Sequence, residues 1–282
     1  MNNLLKGLIY DGKKILSESG VKHAIDEARL IIKKTLKKNE LEFITFQNKK
    51  ISSKQINAIL HNFIERSSGK PVSKIFGFKE FFSYEFIVNK NVLDPRPETE
   101  LLVELTIKSL LKKKDKKISL LELGVGSGCL IISILLSLKI NKVSALGVDI
   151  SKKALDTADK NLKKFNLEKK LKLKKSDWFS DIHEKFDIII SNPPYIKTSD
   201  IKNLDKEVKC YDPLIALDGG FNGLRCFERI ATDAKFHLKQ HGIVLLEIGF
   251  GQLNPVKKIF EKMGYKIFLK EKDLQGIIRV VG

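Results

Sequence analysis

Cysteine is scarce in this chain: three residues in 282, Cys129, Cys210 and Cys226, with no Cys-x-x-Cys pair among them. Such a set builds neither a disulfide framework nor a zinc ribbon, and the thiols are expected to be reduced. Arginine is scarce for so basic a protein. Of 52 basic residues only Arg29, Arg66, Arg96, Arg225, Arg229 and Arg279 are arginine, against 34 acidic residues and a net charge of +18. Bidentate readout of phosphates and bases favours arginine. Lysines spread through nearly every segment read instead as solvated faces, so nucleic acid is not expected as the substrate. The five histidines, His23, His61, His183, His237 and His241, show no ligand spacing, and no metal is expected. No repeat or low-complexity linker is present. Residues 1–11 lack the apolar stretch of a secretory signal and the pattern of a transit peptide, which leads to the expectation of a cytoplasmic protein.

One long, almost wholly uncharged run does occur, Ile118 to Ile140, about long enough to cross ~30 Å of hydrocarbon. Glu122, Lys139 and the alternating Gly124, Gly126 and Gly128 divide it into a buried strand, a glycine loop and a buried helix, so no membrane association is expected. With 43% hydrophobic residues the chain can enclose one sizeable core and a smaller one. Residues 1–71 predict a helical domain, because apolar positions recur at helical spacing: Ile25, Ala28, Ile31, Ile32, Leu36, then Ile56, Ile59, Leu60, Phe63, Ile64. Ser67-Ser68-Gly69-Lys70-Pro71 ends it. Residues 72–93 carry Phe76, Phe78, Phe81, Phe82, Tyr84 and Phe86 in partial alternation, which predicts a linking β-hairpin.

From residue 94 to 282 the pattern is strand, turn, helix, repeated. Pro97 suits a first helical position, and strands are predicted at 118–123, 143–149, 171–175, 186–191, 243–248, 265–269 and 277–281. Ser151 is a candidate cap for a helix that turns Ala154, Leu155, Ala158, Leu162 and Phe165 inward. The alternation predicts an α/β fold, a doubly wound and mainly parallel sheet.

Two constellations carry chemistry. Gly124-Val125-Gly126-Ser127-Gly128 follows the first strand of that sheet, where glycines let the backbone turn tightly and a ligand lie against it. The spacing is not that of a dinucleotide fingerprint, and no Lys-Ser/Thr follows to make a phosphate loop. Asp149, at the end of the next strand, can accept hydrogen bonds from ribose hydroxyls, and together these residues predict a nucleoside cofactor. The second constellation is Asn192-Pro193-Pro194-Tyr195, directly after the apolar strand 186–191. The prolines stiffen the backbone, so the Asn192 side chain and the Pro193 carbonyl are held as acceptors for the two hydrogens of an amide or aniline-like nitrogen. Tyr195 offers a flat face to a planar substrate group.

These residues resemble those of class I S-adenosylmethionine-dependent methyltransferases acting on amino groups. Within them the chain is similar, over roughly residues 20–282, to the HemK/PrmC family of peptide chain release factor glutamine N5-methyltransferases. The resemblance rests also on Glu65-Arg66, Gly69 to Val72, Gly77, Glu80-Phe81, Pro95-Arg96-Pro97-Glu98-Thr99-Glu100, Asp177-Trp178-Phe179 and Tyr211-Asp212-Pro213. It continues through Leu217 to Gly220, Gly223-Leu224, Glu247-Ile248-Gly249, Gln252, Asp273-Leu274, Gly276 and Arg279-Val280-Val281. Val125 and Ser127 stand where this family usually has threonine, and Asp94 where it has an apolar residue.

The resemblance implies a Rossmann-like, seven-stranded mainly parallel sheet with a small N-terminal helical domain. It implies S-adenosyl-L-methionine as cofactor, S-adenosyl-L-homocysteine as product, and the glutamine of the GGQ motif of class 1 release factors as substrate. It places Trp178 at the adenine, Asp177 at its exocyclic amine, Glu122 near the methionine amino end, and Arg96, Glu98 and Glu100 around the substrate pocket. The catalytic set expected is Asn192, Pro193 and Tyr195, with Pro194 and Arg96 also binding substrate. The cofactor set is Gly124, Val125, Gly126, Ser127, Gly128, Asp149, Asp177, Trp178 and Asn192. A monomer is expected. A DNA adenine or rRNA base methyltransferase is the alternative, since the same loop suits an exocyclic amine on a flipped base.

Overall fold

Apolar residues three and four apart build a first unit of helices, residues 1–77, and period-two strands alternating with helices build a second, residues 78–282. The computed structural model describes residues 4–45, 50–112, 117–138 and 143–282. The first unit contains α1 (Leu5–Glu18), α2 (Ala24–Thr35), α3 (Glu40–Thr45), α4 (Ser53–Ser67) and α5 (Val72–Phe76). Leu5, Leu8 and Leu16 of α1, Ala28, Ile31 and Ile32 of α2 and Ile56, Ile59 and Phe63 of α4 share its core. Gly12 lets α1 approach α4: a Cβ there would stand 2.3 Å from the Phe63 ring. Ser52 and Gln55 form a reciprocal capping box at the start of α4. Ile25 and Ile64, expected inward, are exposed at the margins of their stripes. The buried Arg66 ties α4 to Glu27 of α2.

The helical unit runs to Gly77 rather than ending at residue 71. Helix α5 occupies the start of the segment expected to be hairpin, and Gly77, at φ +79°, stops it. A five-residue helix completes little more than one turn, so it leaves no periodic signal in the sequence.

The second unit opens with an antiparallel hairpin, β1 (Phe78–Phe81) and β2 (Tyr84–Ile87), whose two turn residues Phe82 and Ser83 both have positive φ. It continues with a 3₁₀ turn (Pro97–Thr99), α6 (Glu100–Leu111), β3 (Ile118–Leu123), α7 (Cys129–Ser137), β4 (Val143–Asp149), α8 (Lys152–Lys164), β5 (Leu171–Lys175) and β6 (Phe186–Ser191). After these come α9 (Lys206–Lys209), α10 (Arg225–Asp233), β7 (Leu238–Glu247), α11 (Leu253–Lys262), β8 (Lys270–Lys272) and β9 (Ile278–Val281). The sheet order is β5-β4-β3-β6-β7-β9-β8, parallel from β5 to β7 and antiparallel at β9.

Alternate residues of the central strands feed two cores. Leu120, Ile188, Ile190 and Leu245 face a core shared with the hairpin, α6, α7 and α8; Leu121, Leu123, Ile189 and Leu246 face one shared with α10 and α11. The membrane-like run resolves into β3, the glycine loop and the buried α7; Lys139 and Ile140 lie outside the described residues. Among the described residues no helix is long and apolar enough to cross a membrane.

Two strand expectations are corrected. The strand expected at 265–269 falls at Lys270–Lys272: Phe268 and Leu269 bond the terminal Gly282, while Tyr265 and Ile267 serve as packing residues against the core. Strand β7 begins at Leu238, five residues before the expected Ile243, because an exposed irregularity at 239–242 interrupts its apolar pattern.

Candidate active site

The chain leaves β3 for β4 on one side and reaches β6 on the other, so the β3/β6 boundary is a switch point where loops diverge at the carboxyl edge. A cavity of about 410 Å³ opens there. Gly124 and Gly126, Val148 and Asp149, Asp177 and Trp178, and Asn192 and Pro194 are among its lining residues. A Cβ on Gly124 would meet no protein atom within 4 Å, so the space this glycine keeps clear belongs to the cavity. Val125 and Ser127 are buried, and Gly128, at φ +81°, starts α7; these three do not line the cavity.

Asp149 is held by its surroundings as well as by its strand. Its Oδ2 accepts the Gly126 N–H at 2.9 Å and its Oδ1 the Ser151 N–H at 2.8 Å, so one carboxylate joins the glycine loop to the start of α8. The Ile150 N–H acts on the same carboxylate, which still keeps a lone pair for a ligand. Burial raises the Asp149 carboxyl above its ordinary value, while the Ser151 and Gly126 N–H groups work the other way. Glu122 lies deeper, accepts the Ile131 N–H at 3.1 Å beneath α7, and is held well above the usual carboxylate range by burial.

A second cavity, about 230 Å³, adjoins the first, and Asn192, Leu93 and Ala216 stand in the walls of both. Pro193, Tyr195, Arg96, Glu98, Glu247 and Arg279 line the second alone. Arg96 is fixed by Asp212, whose Oδ2 is 2.6 Å from its guanidinium. Glu100, expected beside Arg96 and Glu98, is used elsewhere: its Oε1 accepts the Phe82 N–H of the hairpin turn at 2.8 Å. Asn192 donates from Nδ2 to Thr99 Oγ1 at 3.1 Å, which leaves Oδ1 as the acceptor available to a ligand. Thr99 donates to Glu247 Oε2 at 2.6 Å, and the Tyr195 hydroxyl donates to Glu247 Oε1 at 3.4 Å. Burial pushes the Glu247 carboxyl up to about 7 and, with Glu247 adding, also raises the Tyr195 phenol.

The Asn192 loop is braced from behind. Gln252 donates from Nε2 to the carbonyls of Tyr195 (3.0 Å) and Gly223 (3.2 Å), and accepts the Gly249 N–H at 2.9 Å. Gly219 packs so closely that a Cβ would lie 2.8 Å from the Tyr195 Cα. Thr99, Glu247 and Gln252 carry no functional reading in the sequence beyond their part in the family pattern. A buried carboxylate ending an apolar strand was the one available signal.

Residues 96–208 match the model of the Methyltransferase small domain, and residues 8–77 that of the PrmC N-terminal domain. A release factor glutamine methyltransferase of Agrobacterium fabrum is 36% identical over 271 residues, covering 95% of this chain and 93% of its own. The chain belongs to the release factor glutamine methyltransferase family. It also matches, at 34% identity and over its whole length, a bifunctional methyltransferase of Rickettsia typhi, of which it spans 57%. A methyltransferase of Pyrococcus furiosus shares the fold at a TM-score of 0.50 and 20% identity, over 82% of this chain and 98% of its own. The sheet is thus that of a class I methyltransferase, with S-adenosylmethionine as the family's cofactor. The residues present fit that group: a bare glycine cradle, a carboxylate at the cavity wall, an aromatic residue, Trp178, lining it and a cavity of suitable size.

Proposed function

We propose that the chain methylates the side-chain amide nitrogen of a glutamine in the GGQ motif of class 1 peptide chain release factors, using S-adenosyl-L-methionine and releasing S-adenosyl-L-homocysteine. One observation carries the reading: Asn192, with its amide oxygen uncommitted, stands in the walls of both cavities. A donor group held against the glycine loop and a planar amide held against Tyr195 would therefore meet at this side chain. The name of the Agrobacterium relative supports the choice of release factor as substrate.

When bound, the cofactor supplies a methyl group already activated by its sulfonium. The Asn192 Oδ1 and the Pro193 carbonyl accept the two amide hydrogens and favour a pyramidal nitrogen with its lone pair free. Tyr195 contributes a stacking face that binds ground state and transition state alike. The methylated nitrogen then loses one proton to water. Asp149 takes the ribose hydroxyls and Trp178 the adenine. Residues 1–77 hold the release factor away from the loop glutamine, because one side chain offers too little area for specificity.

The test is methyl transfer from labelled cofactor to a release factor, with duplex DNA and an rRNA fragment as competing substrates. Label is expected in the release factor glutamine alone. Asn192→Ala should lower kcat by about 10² or more, the usual cost of losing one preorganised partner, with a smaller change in cofactor affinity. Transfer at the wild-type rate by Asn192→Ala would reduce the motif to a structural turn. Label in DNA or rRNA would identify the other substrate class.

A further inference from the structure

We propose that Glu247, acting through Thr99, is the positioning residue that sets which end of the Asn192 amide faces the substrate. The inference rests on the reading of Asn192 as the acceptor for the substrate nitrogen. A side-chain amide has a donor end and an acceptor end of nearly the same shape, so packing alone selects poorly between them. A hydroxyl has one proton to give. Glu247 as a carboxylate can only accept, and its Oε2 lies 2.6 Å from Thr99 Oγ1, so the Thr99 proton is committed to it. The face of Oγ1 toward Asn192 then holds lone pairs and accepts from Nδ2 at 3.1 Å. With Nδ2 engaged, Oδ1 is the end presented to the cavities.

The same carboxylate takes the Tyr195 hydroxyl on its other oxygen at 3.4 Å, so both ends of the Asn-Pro-Pro-Tyr loop refer to one group. Protonation gives Glu247 a donor of its own. Thr99 can then accept from it and donate toward Asn192, and the preference for one amide orientation is lost. The groups facing Glu247 are Thr99 and Glu98 from the 3₁₀ turn, Tyr195 from the loop after β6, Arg279 from β9 and Arg96 across the second cavity. Burial favours the neutral form, the Thr99 hydroxyl and Arg279 the ionised one and Glu98 again the neutral one, and the balance pushes the carboxyl up to about 7. Methyl transfer should accordingly rise with pH through that region.

Two measurements on the full-length protein decide the matter. In the isotope-labelled protein without cofactor, the Asn192 side-chain amide, assigned by its loss in Asn192→Asp, is followed by hydrogen exchange at pH 8. Its protons should exchange at least about tenfold more slowly than those of an exposed asparagine at the same pH, in proportion to the hydrogen bond that must open. Thr99→Val should abolish that difference, and Thr99→Ser should restore it. In single-turnover transfer to a release factor, Thr99→Val should lose about tenfold or more in kcat with KM and cofactor affinity within about threefold, as for a group felt in the transition state. Glu247→Gln should flatten the rise of kcat with pH. Unchanged Asn192 protection in Thr99→Val, or wild-type kcat in that variant, overturns the proposal. If the wild-type protein does not methylate a release factor, the substrate reading falls while the exchange measurement, repeated in Glu247→Gln where Asn192 protection should drop, still decides the role of Glu247; unchanged protection in that variant overturns it.

Discussion

Two carboxyl groups at the carboxyl edge of the sheet, Asp149 and Glu247, meet different surroundings. Asp149 bonds two backbone N–H groups and borders the first cavity, so removing it costs both loop geometry and a ligand contact. Asp149→Ala should weaken S-adenosylmethionine binding in calorimetry by roughly 1 to 3 kcal/mol, the usual loss for a buried hydrogen-bonded carboxylate. Unchanged affinity would remove the ribose assignment. Glu247 titrates upward from 4.5 to about 7 on folding, so the folded state holds its proton more tightly than the unfolded chain. Its contribution to stability is then fully present below pH 4.5 and is lost as pH rises through 7. In urea unfolding, the stability of wild type relative to Glu247→Gln should fall by roughly 3 kcal/mol between pH 4.5 and 7.5, at about 1.4 kcal/mol per unit. A difference that stays constant with pH would show that Glu247 is already ionised in the fold. The same ionisation that destabilises the fold is the one that orients Asn192, so stability and activity should move in opposite directions with pH. Gly124, Gly126, Asp149 and Asn192 were legible in the sequence because each stands at the end of a strand that its apolar run announces. Thr99 was not, since a turn hydroxyl carries no local pattern; Glu247 ends an apolar strand as Asp149 does, but no adjoining motif separates a positioning carboxylate there from an ordinary one.

Elements are joined near the site by a single buried amide. Asn161 of α8 accepts the Ile87 N–H at 2.7 Å and donates to the carbonyls of Ile87 (2.9 Å) and Ser127 (2.8 Å), so the hairpin and the glycine loop are stitched to one helix. Asn161→Leu would leave three backbone groups without partners in the interior. A stability loss of about 2 to 4 kcal/mol is expected in denaturant unfolding. Weaker cofactor binding should accompany it, because Ser127 belongs to the loop that borders the cavity. A variant as stable as wild type would show that water replaces the amide. The helix itself was readable: Ser151 caps it through the Ala154 N–H, and Ala154, Leu155, Ala158 and Leu162 are buried as their spacing requires. Asn161 was not, because a polar residue on the apolar face of a helix breaks the very pattern used to find that face. The misplaced strand at 265–269 has a similar origin. Alternation of half-buried residues marks a packed segment, but strand pairing depends on a neighbour that only β9 supplies.

The two units have separate hydrophobic cores, and the match to the PrmC N-terminal domain model covers nearly all of the first. Deleting residues 1–77 should leave S-adenosylmethionine binding by residues 78–282 within a few-fold of wild type while methylation of an intact release factor falls by at least about 10², the equivalent of losing a few kcal/mol of substrate binding. Full activity on the intact factor would show that the second unit recognises its substrate alone. Helices α2 and α4 of the first unit, most of the alternating strands and helices of the second, and the position of the Gly124 and Asn192 loops at strand ends could be derived from the amino-acid order, because periodicity and turn composition are properties of neighbouring residues. The pairing of the two cavities at Asn192 could not. The hydrogen bond from Asn192 to Thr99 spans 93 positions and that from Thr99 to Glu247 spans 148. Contacts of that separation exist only once β6 and β7 lie side by side and the 3₁₀ turn is packed above them. Their geometry follows from strand order and helix packing, and no short stretch of sequence encodes it.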